Sequence, residues 1–185
     1  SNTGVSDFTG AVVLSDGSIT LGNATAFGAS SGAVSIIQGT LDLGGLSVTK
    51  GDLAIVAGTV TNGTLTSSSV TVSDSATIDA VLSGASATLG KSGTGTLNLN
   101  GANTYDGVTT LSGGTIVLGS ATALGSANGP TRLEGGNEDG VTLDLNGQTI
   151  TETITQTLGT IINSDTTTTA QIPDIEENIS NVFFG

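Results

Sequence analysis

Carboxylates are the main candidates for chemistry in this sequence, because it contains no His and no Cys. Ser-His-Asp and Cys-His nucleophilic sites, a His general base and Cys/His zinc sites are therefore excluded. Two opposed carboxylates can hydrolyse a glycosidic bond. Asp42 and Asp144 are the best such pair, since each lies in a Thr-Leu-Asp-Leu segment, but they are 102 residues apart in equivalent places. We expect them on outward-facing strand positions, far from each other.

The basic residues are few and spread along the chain. A polysaccharide lyase needs clustered cations beside the uronate, and Lys50, Lys91 and Arg132 are scattered. We therefore predict that the protein is not an enzyme and has no catalytic, cofactor-binding or metal-binding residues. The 16 acidic residues leave a net charge of −13, which disfavours a nucleic-acid partner. Because no apolar run approaches about 18 residues, we expect no membrane insertion by this segment.

Residues 134–140 form an acidic, glycine-rich segment, Glu-Gly-Gly-Asn-Glu-Asp-Gly. Carboxylates in a flexible loop are suitable Ca²⁺ ligands. A repeat-in-toxin calcium turn requires Gly-Gly-x-Gly-x-Asp, but Glu138 stands at the fourth position and Gly140 at the sixth. We expect a solvated loop here and leave calcium binding open. The acidic segment 173–177, which begins with Pro173, is also expected to be a solvated loop.

Two further kinds of side chain, tyrosine and threonine, could bind a ligand at the surface. Tyr105, with Phe8 at the equivalent place of an internal repeat, has a ring that can stack on a sugar, but packing inside the molecule is the expected role. Threonine ladders form the flat surfaces of ice-binding β-solenoids. The spacing of the threonines drifts, so we expect ordinary solvent-facing residues instead. The threonines in question are Thr59, Thr61, Thr64, Thr66, Thr71 and Thr166–Thr169.

The elements that position these residues are short strands. Segments rich in β-branched residues, mostly alternating with period two, recur along the chain and predict β-structure throughout. These segments are 11–14, 18–21, 34–37, 40–43, 53–56, 70–72, 96–99, 115–118 and 141–145. Turn dipeptides such as Asn62-Gly63 and Asn146-Gly147 separate them. Aromatic residues make up only 3% of the chain, which favours the narrow aliphatic bore of a parallel β-helix over the core of a sandwich.

An internal repeat supports this interpretation. Residues 6–32 superimpose on 103–129 without a gap and with 12 identities in 27 positions. The two copies extend over about 6–49 and 103–151, the second with additional residues near 134–140, and a further partial copy starts near 178. Because a solenoid repeat buries its apolar face only against its neighbours, we predict one β-helix segment over 1–185, belonging to a longer rod.

Residues 89–119 contain Lys-Ser-Gly-Thr-Gly-Thr-Leu-Asn-Leu-Asn-Gly-Ala-Asn-Thr-Tyr-Asp-Gly, followed by Gly-Gly-Thr and a further Gly. This stretch resembles the autotransporter-associated β-strand repeat, also called the passenger-associated transport repeat. The resemblance implies an all-β, right-handed parallel β-helix (β-solenoid). It also implies that the chain is part of the passenger of a type V secreted protein, with an extracellular or bacterial cell-surface location.

The expected function is that of a non-catalytic stalk or spacer in such a surface-displayed passenger, serving adhesion. The alternative is an adhesin module that binds a carbohydrate or a host surface through Asn, Asp and Thr side chains on one face. A polysaccharide-degrading β-helix enzyme is a third interpretation. Because the ends of a rod expose unpaired strand edges, end-to-end self-association is a further expectation.

Overall fold

A computed structural model describes residues 9–135 and 140–172, together with the backbone of residues 175–176. This part of the chain consists of strands and loops and contains no helix. It therefore has no helix long and apolar enough to cross a membrane. The strands are β1 (Val12–Leu14), β2 (Ser18–Thr20), β3 (Val34–Ile36), β4 (Thr40–Thr49), β5 (Asp52–Ile55), β6 (Gly58–Thr66), β7 (Ser69–Val72), β8 (Ala76–Ile78), β9 (Val81–Ser83), β10 (Thr88–Lys91), β11 (Thr96–Leu99), β12 (Thr109–Leu111), β13 (Thr115–Leu118), β14 (Thr131–Glu134), β15 (Thr142–Asp144), β16 (Ile154–Leu158), β17 (Thr160–Ile162) and β18 (Ile175–Glu176).

The strands wind into a parallel β-solenoid of about eight turns, which confirms the predicted fold class. The first sheet has the order β1-β3-β5-β7-β10-β12-β14-β16-β18, and the second has the order β2-β4-β6-β8-β11-β13-β15-β17. A short third side is formed where the ends of β4 and β6 pair with each other and β6 pairs with β9. Each turn of the chain thus adds one parallel strand to each main sheet.

Apolar side chains at alternate positions fill the bore. Along the first sheet, Val12, Val34 and Leu53 are consecutive partners, and the column continues through Val70 and Leu89. Leu53 and Leu89 are buried almost completely, as are the equivalent residues of the second sheet. Each enclosed Leu or Ile contributes about 1.5–3 kcal/mol before conformational entropy is subtracted. The period-two alternation in the sequence therefore defines the inside of the solenoid.

The bore is not aliphatic throughout, which corrects the prediction of a purely apolar interior. In one column of the first sheet, Lys91 lies between Val72 and Leu111. Farther along the same column, Gln156 follows Leu133. Both polar side chains are buried. Polar groups at such positions need partners inside the molecule, because water cannot reach them.

Asn62 and Gly63 were expected to form a turn between strands, and this prediction is wrong. Both residues lie within β6, with φ angles of 57° for Asn62 and 151° for Gly63. Asn tolerates the left-handed region, and Gly adopts positive φ without steric cost. The chain therefore bends at a corner of the solenoid and remains paired to β4 on both sides of the bend, with a shift of register between Asp42 and Leu46.

Candidate functional site

The two carboxylates proposed as a hydrolytic pair lie far apart. Asp42 is in β4 and Asp144 is in β15, and five strand-to-strand steps of the second sheet separate these strands. At about 4.8 Å per step, the separation along the sheet is about 24 Å. Catalytic carboxylates of glycosidases are about 5–9.5 Å apart. Asp42 and Asp144 therefore do not form such a pair.

Asp144 is also less accessible than expected. It lies on the outer side of β15 but is only 6% exposed. Its Oδ1 accepts N–H hydrogen bonds from Asn146 at 2.9 Å and from Ser164 at 3.0 Å. The carboxylate therefore joins its own turn to the next turn of the chain. Asp42 is half-buried, and its Oδ1 accepts hydrogen bonds from the Gly44 N–H and from Nδ2 of Asn62.

Lys50 is enclosed by the loop that follows β2. Its Nζ donates hydrogen bonds to the carbonyl oxygens of Phe27 and Ala29, at 2.7 and 2.6 Å. The same atom lies 5.6 Å from the centre of the Phe27 ring, within the range of a cation–π contact. Burial lowers the pKa of the Lys50 ammonium below its ordinary value. The side chain therefore holds two loop carbonyls in place.

Lys91 has a similar position in the bore. It is 1% exposed, and its Nζ donates hydrogen bonds to the carbonyl oxygens of Ser92, Gly93 and Gly113. Gly113 belongs to the next turn of the chain, so the ammonium connects two turns. Burial lowers the pKa of Lys91, and the Asp74 carboxylate partly opposes this effect. In the sequence, both lysines were interpreted only as scattered charges. Lys91 nevertheless lies two residues after Leu89, which is the spacing of inward-facing residues in a strand.

Asn103 connects three consecutive turns. Its side chain is buried, and its Oδ1 accepts a hydrogen bond from the Leu82 N–H at 2.7 Å. Its Nδ2 donates to the carbonyl oxygen of Ala123 at 2.5 Å. Leu82 lies one turn before Asn103, and Ala123 lies one turn after it. One amide group therefore satisfies backbone groups of both neighbouring turns.

Tyr105 fills the bore, which confirms that its role is packing. It is 1% exposed, and its Oη is 2.6 Å from the Thr109 Oγ1. That hydroxyl in turn donates to the carbonyl oxygen of Leu124 at 3.3 Å. Burial raises the pKa of the Tyr105 phenol, while its hydrogen bond with Thr109 acts in the opposite direction. A ring in this place cannot stack on a ligand outside. Phe8, its counterpart in the repeat, lies outside the described residues.

Three further buried side chains, Thr131, Glu152 and Gln156, are polar. Within the described part of the chain, the buried atoms Oε1 of Glu152, Oγ1 of Thr131 and Oε1 of Gln156 have no hydrogen-bond partner. Glu152 Oε2 accepts a hydrogen bond from the Thr151 N–H at 3.2 Å. Burial raises the pKa of the Glu152 carboxyl, so its equilibrium is displaced toward the neutral form.

The outer side of the second sheet carries a ladder of threonines, and of the threonines singled out in the sequence only Thr59 belongs to it. The loops absorb the differences in spacing, so threonines of successive turns are register partners. We call this surface the threonine face, and all of its members are half-buried. It consists of Thr40, Thr59 and Thr77 in one column and Thr96, Thr115, Thr142 and Thr160 in a second.

The two columns are offset by two residues between β8 and β11. Thr77 is the partner of Asn98, and Thr96 lies two residues earlier on the same strand. A shallow depression of about 390 Å³ lies at this offset, and we call it the threonine depression. Its lining consists of Gly58, Thr59, Ser75, Ala76, Thr77, Thr96 and Asn98. This group could not be predicted, because the pairing of strands across turns is not visible in the sequence.

The acidic segment 134–140 lies only partly within the described residues. Residues 136–139 lie outside the described residues, as do residues 173–174, the side chains of 175–176 and residue 177. In the described part of the chain, no three Asp or Glu side chains come together as a group that could hold a metal ion. Thr166–Thr169 form part of an exposed loop beside a small cavity of about 170 Å³.

Residues 89–118 match the family model of the passenger-associated transport repeat. This match confirms the resemblance seen in the sequence. No curated protein and no solved structure shows a significant match to the chain. The matched segment contains Lys91, Asn103 and Tyr105, whose side chains all contact the interior. The repeat suggests an autotransporter passenger, and together with the solenoid fold it suggests a structural segment of that passenger.

Proposed function

We propose that this chain is a rigid, non-catalytic spacer in the passenger of a bacterial surface protein, where it separates another part of the passenger from the cell. The observation that carries this proposal is the double hydrogen bond of Asn103, which fastens one turn to the turns on both sides. The repeat family, which implies a secreted or surface-exposed location, supports the same proposal.

The mechanism of a spacer is mechanical. Each strand of the main sheets pairs with its neighbours, so bending the rod would break backbone hydrogen bonds of both sheets. Lys91 adds a connection between its own turn and that of Gly113. The characteristic side chains of the repeat are therefore used within the solenoid and leave few groups for chemistry outside it.

The absence of Cys allows this rigidity to be measured with two introduced thiols. Thr20→Cys and Ser164→Cys place spin labels on exposed residues beside the two end strands of the second sheet, β2 and β17. Seven strand-to-strand steps separate these strands, so the backbone distance is about 34 Å. For a rigid spacer, we expect one narrow distance distribution by pulsed electron paramagnetic resonance.

The same double variant in urea provides the control, because the unfolded chain must give a broad distribution. A broad or multimodal distribution under native conditions would contradict the spacer proposal. The addition of Asn103→Ala is expected to widen the native distribution, because it removes the connection between three turns. Asn100→Ala, which affects only an exposed contact with Asp79, should leave the distribution unchanged.

A further inference from the structure

Asn98 differs from every other asparagine side chain in the described part of the chain. The side chains of the others all take part in hydrogen bonds, whereas that of Asn98 makes none with the described residues. It lies half-buried in the threonine depression. The hydroxyl groups of Thr59, Thr77 and Thr96 likewise have no hydrogen-bond partner among the described residues. These four side chains can therefore bind a ligand without breaking an internal contact.

We infer that the threonine depression is a binding subsite for a neutral glycan. Hydroxyl and amide groups both donate and accept hydrogen bonds, which is what the hydroxyl groups of a sugar require. The threonine methyl groups add apolar contacts for the C–H groups of the sugar ring. The depression is open to solvent and has a volume of about 390 Å³, so a sugar would lie on the surface of the sheet.

The surrounding charges select against an anionic glycan. Asp74 precedes Ser75 in the chain, Asp79 lies two residues after Thr77, and both are exposed. No cation lines the depression, because Lys50 and Lys91 are buried in the bore and Arg132 lies in the first sheet. A uronate or a sulfated sugar would therefore meet only negative charge.

The offset between the two threonine columns also favours a glycan over an ice surface or a second copy of the chain as the ligand. An ice surface or the flat face of a second copy requires an uninterrupted regular array. Here the register interrupts the array where the depression lies, between Thr77 and Thr96. A local interruption lined by free polar groups suits one or two sugar residues. Without an aromatic platform, the affinity should be weak, with a Kd on the order of 1–10 mM.

The test is a titration of the ¹⁵N-labelled chain with neutral hexasaccharides of glucose, mannose and N-acetylglucosamine, followed by amide chemical shifts. We expect saturable shifts at Thr77, Thr96 and Asn98 with at least one of these sugars. Asn98→Ala should weaken this binding about tenfold, which is about 1.4 kcal/mol, because it removes the hydrogen bonds of the amide group. Thr160→Val, which removes a hydroxyl from the threonine face outside the depression, is the matched control and should bind like the unmodified chain.

Several outcomes would overturn the inference. These are the absence of shifts with all three sugars, stronger binding of oligogalacturonate or of spermidine, and equal weakening by Thr160→Val. Line broadening that depends on protein concentration at these residues would indicate a second copy instead, and thermal hysteresis without sugar binding would indicate ice. None of these results changes the distance between the spin labels, so the glycan subsite and the spacer proposal fail independently.

Discussion

At the scale of single residues, the polar groups inside the bore matter most, because each must find its partners within the molecule. Lys50, Lys91 and Asn103 do so by binding backbone groups of other segments. These three side chains therefore connect successive turns of the solenoid. An aliphatic residue of similar size would fill the same space but would leave the backbone groups of the corners unpaired.

Asn103→Ala is the sharpest test of this role. The substitution leaves the Leu82 N–H and the Ala123 carbonyl without their partner in a buried place. We expect a loss of about 2–4 kcal/mol in the free energy of unfolding, measured by urea denaturation. Asn100→Ala is the control, because Asn100 is exposed and contacts only Asp79 through its side chain, so its effect should be below about 0.5 kcal/mol. Equal urea midpoints for the two variants would contradict the assignment.

Some of these residue roles could be predicted from the sequence and others could not. The inward position of Lys91 follows from its period-two spacing after Leu89. The packing of Tyr105 was predicted from its isolation in a chain with few aromatic residues. The free side chain of Asn98 could not be predicted, since it depends on which residues the neighbouring turns place beside it.

At the scale of strands, alternation was a sufficient signal where the inward-facing residues were apolar. The segment 96–99 is an example, and it is β11 in the structure. The short strands β8 and β9 were missed, and so were β10 and β14, in which the polar residues Lys91 and Thr131 take inward positions. The pairing of residues between strands could not be predicted from the sequence, for another reason. Loops of unequal length separate the strands, and only the folded chain shows that Thr115 and Thr142 are partners.

The assignment of the inner side of β11 can be tested by substitution. Leu97 is completely buried between Ala76 and Ile116, so Leu97→Asp places an unpaired carboxylate in the bore. The cost of burying such a charge is comparable to the whole stability of a domain, about 5–15 kcal/mol. We expect the variant to lose the cooperative thermal transition seen by far-UV circular dichroism.

Asp42→Asn provides the comparison on the outer side of the second sheet. Asn retains an oxygen that can accept the hydrogen bond of the Gly44 N–H, so the change in stability should stay within about 1 kcal/mol. If Leu97→Asp and Asp42→Asn melted at the same temperature, the division of the strands into inner and outer sides would be wrong.

At the scale of the whole molecule, the protein must stay folded despite a high net negative charge. The chain carries a net charge of −13, and two of its three cations are in the bore. The one ion pair between described side chains, Arg132 with Glu134, is long at 4.0 Å and largely exposed. In the outer column next to the threonine face, Asp42 is the partner of Thr61. The pairing of β6 with β8 ends at Val60 and Ile78, and Thr61 and Asp79 are the next residues of these two turns. A neutral residue therefore separates the two carboxylates by about 10 Å, which is about one Debye length at 0.1 M salt.

Thr61→Asp removes this separation and places three carboxylates on successive turns. Like charges that are directly opposite on neighbouring strands cost about 0.2–1 kcal/mol per pair, so at 10 mM NaCl we expect the melting temperature to fall by about 2–4 °C. At 500 mM NaCl most of this loss should be recovered, because screening acts on exposed charges. Thr61→Asn has the same shape without the charge and should melt like the unmodified chain at both salt concentrations. If Thr61→Asp and Thr61→Asn melted together at low salt, the carboxylates of successive turns would not interact, and the spacing of Asp42 and Asp79 would have no role in keeping so acidic a rod folded.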